Sequence, residues 1–349
     1  MAHRTQDTTG NRVVTWLGRI VAGVVALSGS VIAWSALLVN HRKPLPPALT
    51  APRRQWTKPS TGTVSYYVDH RERGRPLVLI HSINAGACAY EMRPLFEYYR
   101  TQRPVYAPDL PGFGTSERSD RAYTPELYTQ SIIDLIDGEV ERDGPVDLVA
   151  FSLSSEFAAR AAKQRPDLIR SLTLISPTGF NPPESQQRLL KLQQSGTSDR
   201  LLRFLRFPLW SQAFYDLLVV RPSLRYFLQI LFVGEVDQSW VDYAYLTTHQ
   251  PNARFAPFFF VSGKLFSPNI RETVYEQIDL PVLVLYDRDP NVRFDTLPDV
   301  IARKPNWHAQ RIVPTLGVPH WEKLRETTEA IEQFWQIAET PIEVERSVR

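Results

Sequence analysis

Short runs of β-branched and aliphatic residues recur along the chain: TVSYYV (63–68), PLVLIH (76–81), PVYAPD (104–109), VDLVAF (146–151), SLTLIS (171–176), PVLVLY (281–286) and AQRIVP (309–314). Several are apolar at every position, the pattern of strands covered on both faces. Helical spacing of apolar positions fills the gaps, most clearly at 125–136, 156–163 and 328–337. Alternating strand and helix predicts a mostly parallel sheet with helices on both faces. The alternation stops between about 180 and 278, where helical patterning runs on with no clear strand. A helical cap inserted at 180–278 into a core of 56–179 and 279–340 is therefore expected. The cap is rich in aromatics, among them Phe204, Phe207, Trp210, Tyr226, Phe227 and Trp240. Most are expected to form its own core, and the rest to line an apolar cavity or touch a bilayer.

Before the first strand, IVAGVVALSGSVIAWSALLV at 20–39 carries no charge and is long enough to cross hydrocarbon as a helix. Three readings compete. Arg4, Arg12 and Arg19 with Ala33-Trp34-Ser35 make a passable cleaved signal, a buried helix is the second reading, and a membrane span is the third. The apolar run continues through Leu37, Leu38 and Val39, which argues against cleavage. The expectation is a basic segment at 1–19, a single transmembrane helix at 20–39 and a protein located at the membrane. Arg42, Lys43, Arg53 and Arg54 beyond the run balance the basic residues before it, so orientation stays open. Pro44, Pro46, Pro47 and Pro52 make 40–55 an extended, semi-rigid linker.

Charge narrows the class of partner. Forty basic and 37 acidic residues give a net charge of +3, too balanced for nucleic acid, and no basic stripe is interleaved with aromatics. Cys88 is the sole cysteine, so no intramolecular disulfide forms, and no Cys/His cluster has zinc spacing.

Ligands in open parallel sheets gather at the carboxyl ends of the strands, and three chemically useful residues fall at such ends. Ser152 follows VDLVAF and precedes a helical run, on a sharp strand-to-helix turn. Nucleophile turns of the G-x-S-x-G type need small residues two positions either side of the serine, because neighbouring backbone comes into contact there. Ala150 and Ser154 satisfy the steric need without being glycine. Asp289 in LVLYDRDPNV follows a late strand, and His320 in PTLGVPHWEKL follows the last one. Singly, each has a plainer reading: a small-residue turn, a loop aspartate before proline, a surface histidine. Together they stand in the order Ser, Asp, His, in which a carboxylate can fix the imidazole tautomer and the imidazole can take the hydroxyl proton.

Two further segments, HSINAGACAYEMRPLF (81–96) and DLPGFGTSERSD (109–120), complete a resemblance to the α/β-hydrolase superfamily that runs from about Gly62 to Trp335, excluding most of the insertion. The departures are Ser82 in place of the usual glycine, Ala150 and Ser154 at the nucleophile turn, Asp287 where a glycine is common, and Pro319 before the histidine. The resemblance implies an α/β-hydrolase fold with catalytic Ser152, Asp289 and His320. It also implies an oxyanion hole built from the main-chain amides of Ile83 and Leu153, and no metal or organic cofactor. Asp289 is preferred to Asp287 because the family's acid is typically followed by proline, as Pro290 follows here. Relatives that cleave carbon–halogen bonds or epoxides use aspartate at the turn, so serine favours an acyl-enzyme route on an ester. The expected activity is that of a membrane-anchored serine esterase or lipase-like enzyme acting on a small apolar ester or lipid-like substrate. The alternatives are a non-catalytic protein that holds an apolar ligand in the same fold, and a carbon–carbon hydrolase or haloperoxidase-type member.

Overall fold

The computed structural model describes residues 29–339. Its centre is one eight-stranded sheet in the order β1-β2-β4-β3-β5-β6-β7-β8. The strands are β1 (Arg53–Lys58), β2 (Gly62–Asp69), β3 (Leu77–Ile80), β4 (Val105–Pro108), β5 (Val146–Phe151), β6 (Ile169–Ile175), β7 (Val282–Tyr286) and β8 (Trp307–Arg311). β2 runs antiparallel to both of its neighbours, and from β4 to β8 every pairing is parallel. Every residue of β3, β4 and β5 is buried, as their unbroken apolar runs require. β1 carries no such pattern: RRQWTK buries only Trp56, so an edge strand exposed along most of its length leaves little to read in the sequence.

Helices α1 (Arg93–Tyr99), α2 (Pro125–Gly138), α3 (Ser154–Gln164) and, after the cap, α11 (Leu297–Arg303), α12 (Pro319–Glu322) and α13 (Leu324–Glu339) surround the sheet. Helix α2 starts on Thr124, whose side chain accepts from the Leu127 amide, with Pro125 at the first helical position. Strand order reverses between β4, β3 and β5, so the connections leaving β3 and β5 run to opposite sides, the switch point at which open parallel sheets place their ligands.

The cap comprises α4 (Pro183–Gln194), α5 (Thr197–Leu205), α6 (Ser211–Leu218), α7 (Arg221–Gln229), α8 (Gln238–Thr248), α9 (Phe255–Val261) and α10 (Ile270–Thr273). Tyr215, Phe232, Trp240, Tyr243, Phe258 and Phe259 are buried in it, whereas Phe204, Phe207, Tyr226 and Phe227 stay about half exposed or more. Aromatic stacking joins cap to core: Tyr90 lies 4.5 Å from Tyr243, and Trp240 lies 4.6 Å from Trp321, centroid to centroid.

The expected membrane span, and the single-pass membrane location drawn from it, are corrected here. Positions 20–28 lie outside the described residues. Positions 29–38 are helical, and among the described residues no helix is long and apolar enough to cross a membrane. This helix and the residues just after it are tied to the cap through polar groups: buried Ser35 donates to Asp216 Oδ2 at 2.6 Å, and His41, beyond the helix, places Nε2 2.9 Å from the same oxygen. The proline-rich stretch after it crosses cap and core. Gln250 donates to the Lys43 carbonyl, Tyr243 to the Pro46 carbonyl, and the Ala48 amide to the Tyr67 hydroxyl.

Candidate active site

Ser152 occupies the turn between β5 and α3 with φ +55°, left-handed backbone that a non-glycine residue adopts only under local constraint. The constraint is visible: its amide donates to the Ile175 carbonyl, and its carbonyl accepts the Ser155 amide as α3 begins. Ala150 and Ser154, the two small positions flanking it, are fully buried, so larger side chains would collide there. Ser155 is buried as well, and Ser152 alone of the three serines keeps partial exposure.

The loop after β3 is organised around a buried carboxylate that the sequence reading did not single out. Glu91 Oε2 accepts the Ser82 amide at 2.7 Å, and its Oε1 accepts Asn84 Nδ2 at 2.7 Å. Burial pushes this carboxyl up to about 7, against the pull of Ser82 and Asn84. Ser82, where glycine is usual, accepts a second bond from Asn84 Nδ2 on its hydroxyl. His81 is pinned as the Nδ1–H tautomer: its Nδ1 donates to the Ser82 carbonyl, and its Nε2 accepts the Leu110 amide. Asp109 completes the frame, accepting the amides of Ala89 and Thr115. The second glycine of DLPGFG follows from this, because a Cβ on Gly114 would stand 2.0 Å from the Asp109 carboxyl carbon, at φ +51°.

His320 is completely buried at the start of α12, and its ring meets Phe151, the neighbour of Ser152, edge-on at 5.0 Å. Its Nε2 donates to the main-chain carbonyl of Glu91 at 3.0 Å, a carbonyl it shares with Trp321 Nε1 at 2.7 Å. Its Nδ1 is buried with no hydrogen-bond partner among the described residues. The imidazole is thus bonded to neither Ser152 nor Asp289. Burial lowers its pKa to about 4, so the ring is neutral near pH 7.

Asp289 sits beside the same loop, since a Cβ on Gly317 would come within 2.7 Å of its Oδ2. Its Oδ1 accepts the amides of Asn291 and Val292 at 2.7 and 3.0 Å, and burial still raises its pKa to about 6. Asp287 has a different job. Although burial opposes its charge, the Thr315 amide and Arg311 outweigh that and hold its pKa below the ordinary value, pinning the ends of β7 and β8. Ile83 and Leu153 are buried at the two turns expected, from the resemblance, to supply the oxyanion hole.

Clefts of about 570 and 280 Å³ open elsewhere, the first around Arg73 and Arg142, the second between cap and core around Arg160 and Lys264. Neither is lined by Ser152, Asp289 or His320.

Glu91 left a faint sequence signal: it is the one charged residue in the stretch NAGACAYEM. Its contact with His320 spans 229 positions and uses a main-chain oxygen, which no side-chain pattern encodes.

Residues 77–330, more than half of the chain, match the profile of the alpha/beta hydrolase family. Among individual proteins, the chain is 32% identical over 126 residues to the abhydrolase domain-containing protein abhd-5.2 of Caenorhabditis elegans, covering 34% of this chain and 28% of that one. It is also 32% identical over 113 residues to the 2-hydroxymuconate semialdehyde hydrolase of Pseudomonas sp. strain CF600, covering 32% and 39%. The matches thus span well under half the length of these relatives. Among solved structures, a serine hydrolase involved in carbazole degradation superposes with a TM-score of 0.62 at 16% identity, over 82% of this chain and 100% of that one. Sheet order, elbow and profile agree, and the chain belongs to the alpha/beta hydrolase family.

Proposed function

We propose that this protein is a serine hydrolase that cleaves an ester with an apolar acyl or alcohol part. The observation that carries the reading is Ser152 held left-handed on a strand-to-helix turn, beside the turn of Ile83 and one residue from the ring contact with His320. Such a turn aims a hydroxyl out of the sheet at a backbone cost that packing alone would not retain. In the proposed reaction Ser152 Oγ attacks the ester carbonyl, its proton passes to His320, and the carbonyl electron pair becomes an oxyanion facing the amides of Ile83 and Leu153. Collapse expels the alkoxide, which takes the proton from the imidazolium, and water repeats the sequence to release the acid. Asp289 is the acid of this relay. The relay engages once the imidazole leaves the Glu91 carbonyl, releases its Nε2 proton to solvent and takes one from solvent on Nδ1, so that a bare Nε2 faces the serine and Nδ1–H faces the carboxylate.

A second reading is hydrolysis of a carbon–carbon bond by the same serine and base. The identity to the semialdehyde hydrolase favours it.

The test is labelling by a fluorophosphonate probe, expected in the wild type and absent in Ser152→Ala, followed by rates on p-nitrophenyl esters of graded chain length. A labelled protein inactive on every ester but active on a vinylogous diketone moves the assignment to the second reading. An unlabelled wild type supports the ligand-binding alternative.

A further inference from the structure

We infer that Glu91 is a positioning residue for this site, its carboxylate holding the turn that carries the Ile83 amide and its main-chain carbonyl holding the His320 imidazole. The inference rests on the hydrolase reading above. The carboxylate grips the turn on both sides of Ile83, through the Ser82 amide before it and the Asn84 side chain after it, each at 2.7 Å. The Asn84 carbonyl oxygen takes the Gly86 amide, so the turn is closed on itself as well as on Glu91. Three positions in the sequence then share one buried anchor. The carbonyl of the same residue takes both Nε2 of His320 and Nε1 of Trp321, and Trp321 stacks on Trp240 of the cap. One residue therefore holds a proposed oxyanion donor, the resting position of the proposed base and the edge of the cap in a common frame.

Stability gives no reason for an acid here. Glu91 is completely buried, forms no ion pair among the described residues, and carries a group whose burial is costly without a cation. A methionine would fill the same space without a charge but would leave both donors unpaired. An acid fits because both of its oxygens can accept, whereas glutamine offers one acceptor and one donor, and two acceptors are what the turn demands. Displacing the turn by even about 1 Å would misplace the oxyanion donor relative to the developing charge, which weakens the transition state and leaves ground-state binding almost untouched.

Glu91→Gln tests this in the full chain. The glutamine keeps the shape but turns one acceptor into a donor, so either Ser82 N or Asn84 Nδ2 loses its partner. The expected result is a fall in kcat of roughly 10- to 100-fold with KM within about threefold, and a matching loss of affinity for a trifluoromethyl ketone that forms a tetrahedral adduct on the serine. Asn84→Ala should move the same quantities in the same direction by a smaller factor, and it serves as the test if Glu91→Gln does not fold. Added to Glu91→Gln it should cost less than it does alone, because the two share one contact. Wild-type kcat and inhibitor affinity in Glu91→Gln overturn the inference. So does a loss confined to KM or to the melting temperature. Ser152→Ala run in parallel separates the two failures: full activity there removes the hydrolase reading itself, while an inactive Ser152→Ala beside an unimpaired Glu91→Gln removes only the role of Glu91.

Discussion

The turn after β5 and the loop after β8 meet at the same end of the sheet, yet they are held in place by different means. At the first, most of what fixes Ser152 lies close to it in the chain, namely a β-strand, two small residues, a helix start and a left-handed φ of +55°, with one bond to the Ile175 carbonyl of the neighbouring strand. At the second, everything that fixes His320 comes from elsewhere, since its Nε2 is held by the main chain of Glu91 and its ring by Phe151. The nucleophile's geometry is therefore a local property of the chain, whereas the base's geometry belongs to the tertiary structure and can change without refolding the turn. Each side is backed by a buried glutamate that ties distant segments together. Glu91 joins the oxyanion turn to the base loop, and Glu156 on α3 accepts Thr178 Oγ1 at 2.5 Å and the Ser267 amide of the cap at 2.9 Å.

The largest effect is expected at the locally encoded side. Ser152→Ala should abolish ester hydrolysis, with a loss approaching about a million-fold in kcat and an unchanged melting temperature. Ser154→Ala should retain most activity, since that side chain is wholly buried behind the turn. Steady-state rates on a p-nitrophenyl ester decide it, and wild-type turnover in Ser152→Ala would dissolve the contrast between the two regions.

The base side gives the next effect. If the relay engages Asp289, Asp289→Asn should lower kcat by roughly 10⁴-fold, as a mis-set tautomer does, while Asp287→Asn should leave kcat within about tenfold and act mainly on stability through Arg311 and Thr315. The pH profile sharpens this. Burial raises Asp289 to about 6 and lowers His320 to about 4, so a relay needing an ionised Asp289 and a neutral His320 loses activity first near pH 6, as the carboxylate takes its proton. An acid limb near 4 in kcat/KM would mean that the imidazole works without an ionised Asp289.

Smaller in free energy is Gly114→Ala. A Cβ there falls 2.0 to 2.2 Å from the Asp109 carboxyl group at a positive φ, so the variant should be destabilised by roughly 3 to 5 kcal/mol in urea titrations. It would loosen the frame on which the oxyanion turn rests while leaving the Ser152 turn intact.

These contrasts track what was legible in the sequence. Strands β3, β4 and β5 announced themselves because burial on both faces keeps their runs largely apolar, and the elbow did so because its requirements are packed into five adjacent positions. β1 was not legible, being an edge strand with one buried residue. The described part of the uncharged run at 20–39, residues 29–38, was misleading for a related reason. A run without period does not distinguish a span from a helix docked on protein, and the distinguishing contact, Ser35 with Asp216, joins positions 181 apart. Glu91 and Glu156 were hidden because their partners are amides and hydroxyls, groups that every segment carries.

Glu156 offers the smallest and most specific test. It lies one helical turn beyond Ser152 and is completely buried, and burial pushes its pKa up to about 7 although Thr178, Ser267 and the nearby Arg160 pull the other way. A carboxyl whose folded pKa is raised above its unfolded value near 4.5 binds its proton more tightly in the native state. Its contribution to stability is thus full below about pH 4.5 and is lost as pH rises through about 7. Between pH 5 and 8 this amounts to about 2 to 3 kcal/mol for a single group. Glu156→Gln removes the titration and adds a constant cost, because the amide nitrogen cannot accept both donors. The stability difference between wild type and variant, from urea titrations at pH 5 and pH 8, should therefore shrink by about that amount at the higher pH, while every other titrating group cancels in the comparison. A difference that stays flat would mean that Glu156 is already ionised at pH 5, with Arg160 carrying its charge, and that the nucleophile's side of the site is anchored by an ion pair where the base's side has only hydrogen bonds.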